Sequence, residues 1–263
     1  MASEREGGGF SGMRALDDAV VQSLLRSNLW KDKETEMTDM KQNLPASPVE
    51  KPVPPDAKTF DLVPPEEFQI GSMRLIDAIR RRKSHRDFTQ SPLSLEELSF
   101  LLWATQGVRE AKLDKGMTLR TVPSGGGRHP FETYLGVRNV DGLAPGVYRY
   151  LALSHRLCLV DADAARLKRL SSACAKFAES SAAVFVWTAI PHRSAWRFGA
   201  RAPKVVALDA GHVCQSLYLA CAAIGAGTCA VASYDQMAID AALGVDGKEE
   251  FAIYAAPVGK VAE

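Results

Sequence analysis

The amino-acid sequence predicts an α+β fold, a sheet with helices on both of its sides, and three observations carry that prediction. Short strand-like runs follow one another closely at Glu132 to Val137, Val147 to Leu151 and Leu157 to Val160. The first two are separated by a glycine- and proline-containing turn at Gly142 to Gly146, which makes an antiparallel run. The stretch Ala183 to Ile190 is continuously apolar, as a strand buried on both faces must be. Segments of helical period stand before, between and after these strands.

Taken in order, residues 1 to 12 have the composition of a disordered lead-in, and Ala15 to Trp30 fits a short amphipathic helix through Leu16, Val20, Leu24 and Leu25. From Leu44 to Pro65 seven prolines forbid helix and favour an extended arm: Pro45, Pro48, Pro52, Pro54, Pro55, Pro64 and Pro65. Residues 1–70 therefore read as an N-terminal extension with a proline-rich arm, and 71–263 as the folded domain. The arm has no core of its own and is expected to wrap a partner subunit.

Regular structure is expected to start near Met73, where Leu75, Ile76 and Ile79 share a helical face and Arg80-Arg81-Arg82-Lys83 closes the helix end. Ser94 is placed to cap a second helix with Glu97 at the capping-box position, and Gly107 stops it. Further helices are expected at Asp163 to Phe177, at Ala210 to Ile224 with Asp209 as N-cap, and at Gln236 to Leu243. Short strands are expected at Thr228 to Ala232 and Phe251 to Val258.

Composition excludes several classes of function. With 263 residues, 46% of them hydrophobic, the chain can bury one substantial core. A formal net charge of +1, from 32 basic and 31 acidic residues, gives no global field for nucleic acid or a membrane surface, and neither is expected as a partner. The cysteines Cys158, Cys174, Cys214, Cys221 and Cys229 form no CxxC pair, and an odd number suits a reducing compartment, so the cytoplasm is expected. No stretch approaches the roughly 18 uninterrupted apolar residues of a membrane span, and the polar, glycine-rich N-terminus lacks a signal peptide's apolar core.

Two segments carry the chemistry. In RTVPSGGGRHP the glycines at 125 to 127 remove every Cβ from one wall, Pro123 and Pro130 stiffen its shoulders, and Ser124 adds a hydroxyl. Arg120, Arg128 and His129 set positive or switchable charge around that loop, where a flat or anionic ligand would lie. In RRKSHRDF, Arg82, Ser84 and Arg86 alternate past the helix end, so an extended backbone points them the same way, as a strip of donors for a phosphate. Other tempting residues read as structural. His212 and Cys214 are two apart on a helix and face apart, so no metal site is expected; Gly225-Ala226-Gly227 ends a helix where a dinucleotide fingerprint would start one. Trp103, Trp187 and Trp196 read as core or interface aromatics, and Arg149 as solvated.

The blocks RRKSHRDF, LLWATQG, VPSGGGRHPFETYLGV, GVYRY, LDAGHVCQSLYLACAAIGAGTCAVASYD and YAAPVGK, in this order from about Arg74 to Lys260, resemble the flavin-dependent nitroreductase family, most closely its SagB-type branch. The resemblance implies a nitroreductase-like α+β fold with a central, mostly antiparallel sheet flanked by helices, and an intertwined homodimer with shared FMN sites. It implies FMN contacts for Arg82, Lys83, Ser84 and Arg86, with Arg86 stabilising negative charge at the N1/C2=O edge of the reduced flavin. It sets Pro123, Ser124, Gly125 and Gly126 near the isoalloxazine, Ala230, Val231, Ala232 and Ser233 near N5 and O4, Lys260 at the phosphate and Gln106 at the pyrimidine edge. No side-chain acid or base is implied, because flavin N5 carries the hydride from NADH or NADPH to a small-molecule acceptor.

In one place the chain departs from the SagB-type pattern. Azoline-oxidising members resemble one another in a Lys-Tyr pair, whereas the corresponding stretch here reads Arg197-Phe198-Gly199-Ala200-Arg201, without a phenol or a readily titrated amine. Three functions follow from the sequence: an NAD(P)H oxidoreductase acting on a nitroaromatic or quinone, a natural-product dehydrogenase reoxidised by O2, and a flavin-binding homodimer without turnover.

Overall fold

The structure, a computed structural model, describes residues 22, 24–27 and 36–262. The chain forms two units, 1–36 and 37–263. In the first, Gln22, Leu24 and Leu25 are helical, and the Arg26 N–H donates to the Gln22 carbonyl at 2.8 Å. The rest of the amphipathic helix expected over 15–30, and the lead-in over 1–12, lie outside the described residues.

In the second unit the order is β1 (Thr59–Asp61), α1 (Leu75–Arg81), α2 (Leu95–Gln106), β2 (Val108–Lys112), β3 (Met117–Arg120), β4 (Phe131–Val137), β5 (Gly146–Leu151) and β6 (Arg156–Asp161). There follow α3 (Ala164–Cys174), β7 (Ala183–Ala189), α4 (His192–Phe198), α5 (Ala202–Ala223), β8 (Ala226–Thr228), α6 (Gln236–Leu243) and β9 (Phe251–Lys260). Seven strands make one sheet in the order β1-β6-β5-β4-β7-β9-β8, every neighbouring pair antiparallel, while β2 and β3 form a separate hairpin. β7 lies inside the sheet, between the middle strand β4 and β9, and its alternation divides the core. Phe185 and Trp187 pack with α2 and α5 on one face, and Val184 and Val186 with α3 and α6 on the other.

Local chemistry accounts for the helix ends. Ser94 Oγ accepts from the Glu97 N–H at 3.1 Å and Glu97 returns a carboxylate to the Ser94 N–H at 2.9 Å, the reciprocal box the sequence predicts. α5 departs from the sequence reading. It starts at Ala202, with Pro203 in its first turn, so Asp209 lies inside the helix and caps nothing. The run His192–Ala223 is long and apolar enough by composition to cross a membrane, and half of its most apolar part is buried within the fold.

The proline-rich arm is extended, as its composition requires, and residues 37–70 belong to the same compact unit as the sheet. Thr59–Asp61 adds an edge strand to β6. Upstream, the arm lies across polar groups of β4, β5 and α4. The Lys51 N–H donates to Glu132 at 2.8 Å, Arg193 donates to the Pro48 carbonyl at 2.8 Å, and Arg149 donates to the Lys51 and Pro52 carbonyls at 3.1 and 2.9 Å. Arg149 is 4% exposed, so the solvated role read for it from sequence is corrected: arm carbonyls and Glu132, at 3.5 Å, take the place of water.

Candidate functional site

A cavity of about 920 Å³ opens where the end of α1, the C-terminal half of α5, the turn into β8 and the end of β9 meet. Its lining includes Arg80, Arg81, Arg82, Lys83, Tyr218 and Lys260, and no carboxylate among the described residues. The sequence brings these groups together for local reasons. α1 ends in Arg80 and Arg81, with Arg82 and Lys83 directly beyond, cations that suit the negative end of its dipole, and β9 runs past them antiparallel to β8. Partial burial and then the Lys83 ammonium hold the His85 imidazole below its ordinary pKa, so it adds no proton to this already positive site.

Tyr218, which the sequence reading did not single out, joins two of the predicted segments. Its hydroxyl meets Ser84 Oγ at 2.9 Å and accepts from the Ala230 N–H at 2.8 Å, and the Arg82 guanidinium lies 5.4 Å from its ring centre. The residue sits inside one of the resembling blocks, at SLYLACAA, but nothing in its spacing showed that its hydroxyl would find Ser84. Ser84 also bridges Thr228, with the His85 N–H donating to the Thr228 carbonyl at 2.9 Å.

The expected donor strip is shorter than its sequence suggests. Pairing with β8 occurs only at Ser84, so alternation does not continue, and Arg86 turns toward Phe177, 6.0 Å from that ring's centre and outside the cavity lining. Lys83 lines the cavity beside Arg82. Lys260 lines it too, but its ammonium is paired with Glu97 of the α2 cap. In the 230–233 segment, the Ala230 amide is taken by Tyr218 and that of Val231 by the Ala255 carbonyl at 2.8 Å, whereas Ala232 and Ser233 are exposed.

The glycine loop lies elsewhere along α5. Asp209, which accepts from Ser124 Oγ at 2.6 Å and from the Gly125 N–H at 3.2 Å, precedes Tyr218 by nine residues, about 13 Å along a helix. Burial, offset by these two donors, raises the Asp209 pKa. The loop's missing Cβ atoms are accounted for by this chain itself, which corrects the bare wall expected over Pro123 to Gly126. A Cβ on Gly125 would fall 2.4 Å from Val205 and 3.3 Å from Phe198, and one on Gly126, at φ +60°, 2.8 Å from Arg197. The two residues that replace the Lys-Tyr pair therefore pack onto the glycine loop.

Charge around that loop is corrected likewise. Arg120 is buried and donates to Gln106 Oε1 at 2.9 Å; Arg128 donates to the Arg193 carbonyl at 2.7 Å and stacks 4.7 Å from the Trp196 ring centre. Burial pulls both guanidinium pKa values down to about 10, which leaves them charged at neutral pH. Burial, and next the Arg120 charge, lowers His129 to about 3, so it is neutral. Gln106 is fully buried outside the 920 Å³ cavity lining, and its amide nitrogen has no partner among the described residues.

Fold and cavity define an α+β protein with a cation-lined site at the end of its sheet. The Nitroreductase family model matches residues 79–260, and the chain belongs to the nitroreductase family. It is 31% identical over 195 residues, 74% of its length, to the nitroreductase homologue MJ1384 of Methanocaldococcus jannaschii, spanning 94% of that protein. It is 33% identical over 112 residues, 40% of this chain, to 30% of the trifolitoxin-processing protein TfxB of Rhizobium leguminosarum bv. trifolii. A crystal structure of a nitroreductase homologue from Ralstonia eutropha JMP134 superposes with TM-score 0.64 at 27% identity, over 84% of this chain and all of that one. The nitroreductase-like fold and an oxidoreductase class follow.

Proposed function

We propose that the protein is an FMN-dependent oxidoreductase that takes hydride from NADH or NADPH and passes it to a small planar acceptor of nitroaromatic or quinone type. The cation-lined cavity in a nitroreductase-family chain carries this reading. Its donor set fits a phosphate monoester, with guanidinium and ammonium groups present and no carboxylate among the described lining residues. Arg82 and Lys83 would hold the phosphate, while Tyr218 fixes Ser84 and the Ala230 backbone on either side. FMN, when bound, supplies the two-electron chemistry. The chain's part is to bind, orient and stabilise negative charge. Because the amides of Ala230 and Val231 are engaged, donors toward the flavin ring come from Ala232 and Ser233.

A homodimer belongs to the same proposal. Leu75, Ile76 and Ile79 of α1 are 65, 46 and 53% exposed in the single chain, and an apolar groove between α1, α2 and α5 lies beside them. All five cysteines are free, which fits a reducing, cytoplasmic setting.

The partial match to TfxB supports a second reading within the SagB-type branch, oxidation of a peptide or other natural product with O2 reoxidising the flavin. Against it stands the replacement of the Lys-Tyr pair by Arg197 and Phe198, which lie on the glycine loop and offer neither an ordinary amine base nor a phenol. An anaerobic absorbance spectrum, titrated with NADH and then NADPH, tests both. Flavin bands that bleach with nicotinamide are expected; bleaching only with a peptide would favour the second reading, and bound flavin that nothing reduces would leave a non-catalytic flavoprotein. No flavin after reconstitution with FMN would overturn all three.

A further inference from the structure

We propose that the 920 Å³ cavity accepts two phosphoryl groups, and that Arg80 and Arg81 read the second, the 2′-phosphate of NADPH, so that the protein prefers NADPH to NADH. The inference rests on the flavin reading above and names the donor that reading leaves open.

Charge counting motivates it. A phosphate monoester carries at most two negative charges near neutral pH, and Arg82 and Lys83 already match them. Lys260 adds little, because Glu97 neutralises it. Arg80 and Arg81 remain in the lining with no carboxylate among the described residues there to answer them; the ion partner of Arg80 among the described residues is a loose one outside it, Asp77 at 3.6 Å. A favourable dipole explains cations at a helix end but not their common destination. Arg80 and Arg81, the last two helical residues, project about 100° apart, and Arg82 and Lys83 follow beyond the helix end, so a cavity that all four line wraps that end, with room beyond a single phosphate. The volume lies in the upper part of the roughly 300–1,000 Å³ range of cofactor-sized sites. Paired guanidinium forks are the side chains that grip a terminal phosphate and gain nothing comparable from the ribose hydroxyl of NADH.

The test uses the flavin-loaded protein and the oxidised nucleotides as non-reducing probes, with binding followed by calorimetry. Wild type should bind NADP+ at least about tenfold tighter than NAD+, a difference expected of two solvent-facing charge-assisted contacts. In the double variant Arg80→Gln/Arg81→Gln the preference should vanish through loss of NADP+ affinity, with NAD+ affinity and flavin content unchanged. Arg81→Glu, in which only one charge is reversed, should weaken NADP+ further than Arg81→Gln does. Equal wild-type affinities, or a double variant that weakens both nucleotides alike, overturn the inference while leaving the flavin function standing. A flavin-loaded protein bleached by neither NADH nor NADPH removes the reading beneath it, and this inference with it.

Discussion

His129 shows how far a residue's type can mislead about its role. It follows the glycine loop at φ +42°, is 3% exposed, and donates its backbone N–H to Ser124 Oγ at 2.9 Å. Burial first, and the neighbouring Arg120 guanidinium second, lower its pKa to about 3. An unfolded chain titrates this imidazole near 6.5, so between that pH and about 3 the unfolded state binds a proton that the folded state refuses. Stability is therefore complete above about pH 6.5 and is lost as pH falls, at up to about 1.4 kcal/mol per pH unit from this group. Asparagine tolerates a positive φ, which makes His129→Asn the matched control. Urea unfolding of both proteins from pH 7.5 to 4.5 should show wild type losing ground to the variant below pH 6.5. A constant difference across that range would mean that the folded protein takes up the proton.

At the scale of elements, what was legible in the sequence is what neighbours in the chain decide. Ser94 and Glu97 are three residues apart, and their capping box was visible at once. β4, β5 and β6 follow one another through short turns, and β7 showed its double burial by apolarity alone. Asp209, Arg149 and Tyr218 were misread or missed because their partners, Ser124, the arm carbonyls and Ser84, lie far away in sequence. The arm is the largest such case. Its prolines forbid helix but do not say which surface an extended chain will cover, and the decisive group is Glu132, buried on β4. One carboxylate oxygen accepts from the Lys51 amide and from Arg193 at 2.5 Å; the other lies 3.5 Å from Arg149. Glu132→Ala leaves two buried guanidinium groups without their counter-ion and unpins the arm, which should cost about 3–5 kcal/mol of unfolding free energy. Glu132→Gln, which keeps the acceptor for the Lys51 amide, should cost less. Chemical denaturation of the three proteins gives the comparison, and a loss below about 1 kcal/mol in the alanine variant would show that water enters to replace the carboxylate.

For the whole molecule, the open question is what covers the outward side of α1 and α5. Leu208 of α5 is 56% exposed, comparable with the α1 residues, and Gly211 three residues later would find nothing within 4 Å of an added Cβ. Glycine inside a helix costs about 1 kcal/mol relative to alanine, and the single chain gives no steric reason to retain it. A second copy packed closely against α5 would supply that reason. Gly211→Leu separates the possibilities because its effects on chain and assembly have opposite signs. Within one subunit the new side chain meets no neighbour and improves helix propensity, so a monomeric protein should melt at the same temperature or higher. Across a tight helix contact it intrudes by several methylenes, and overpacking of that kind costs typically about 1–3 kcal/mol on each side of the symmetry axis. We expect sedimentation velocity to give the wild type at twice the 28.5 kDa chain mass and the variant at one chain mass with its far-UV spectrum intact. Flavin retention should fall with the dimer if both subunits build the site. A variant that stays dimeric would move the interface off Gly211, and a wild type already monomeric would require the cavity at the end of α1 to hold its flavin from one chain alone.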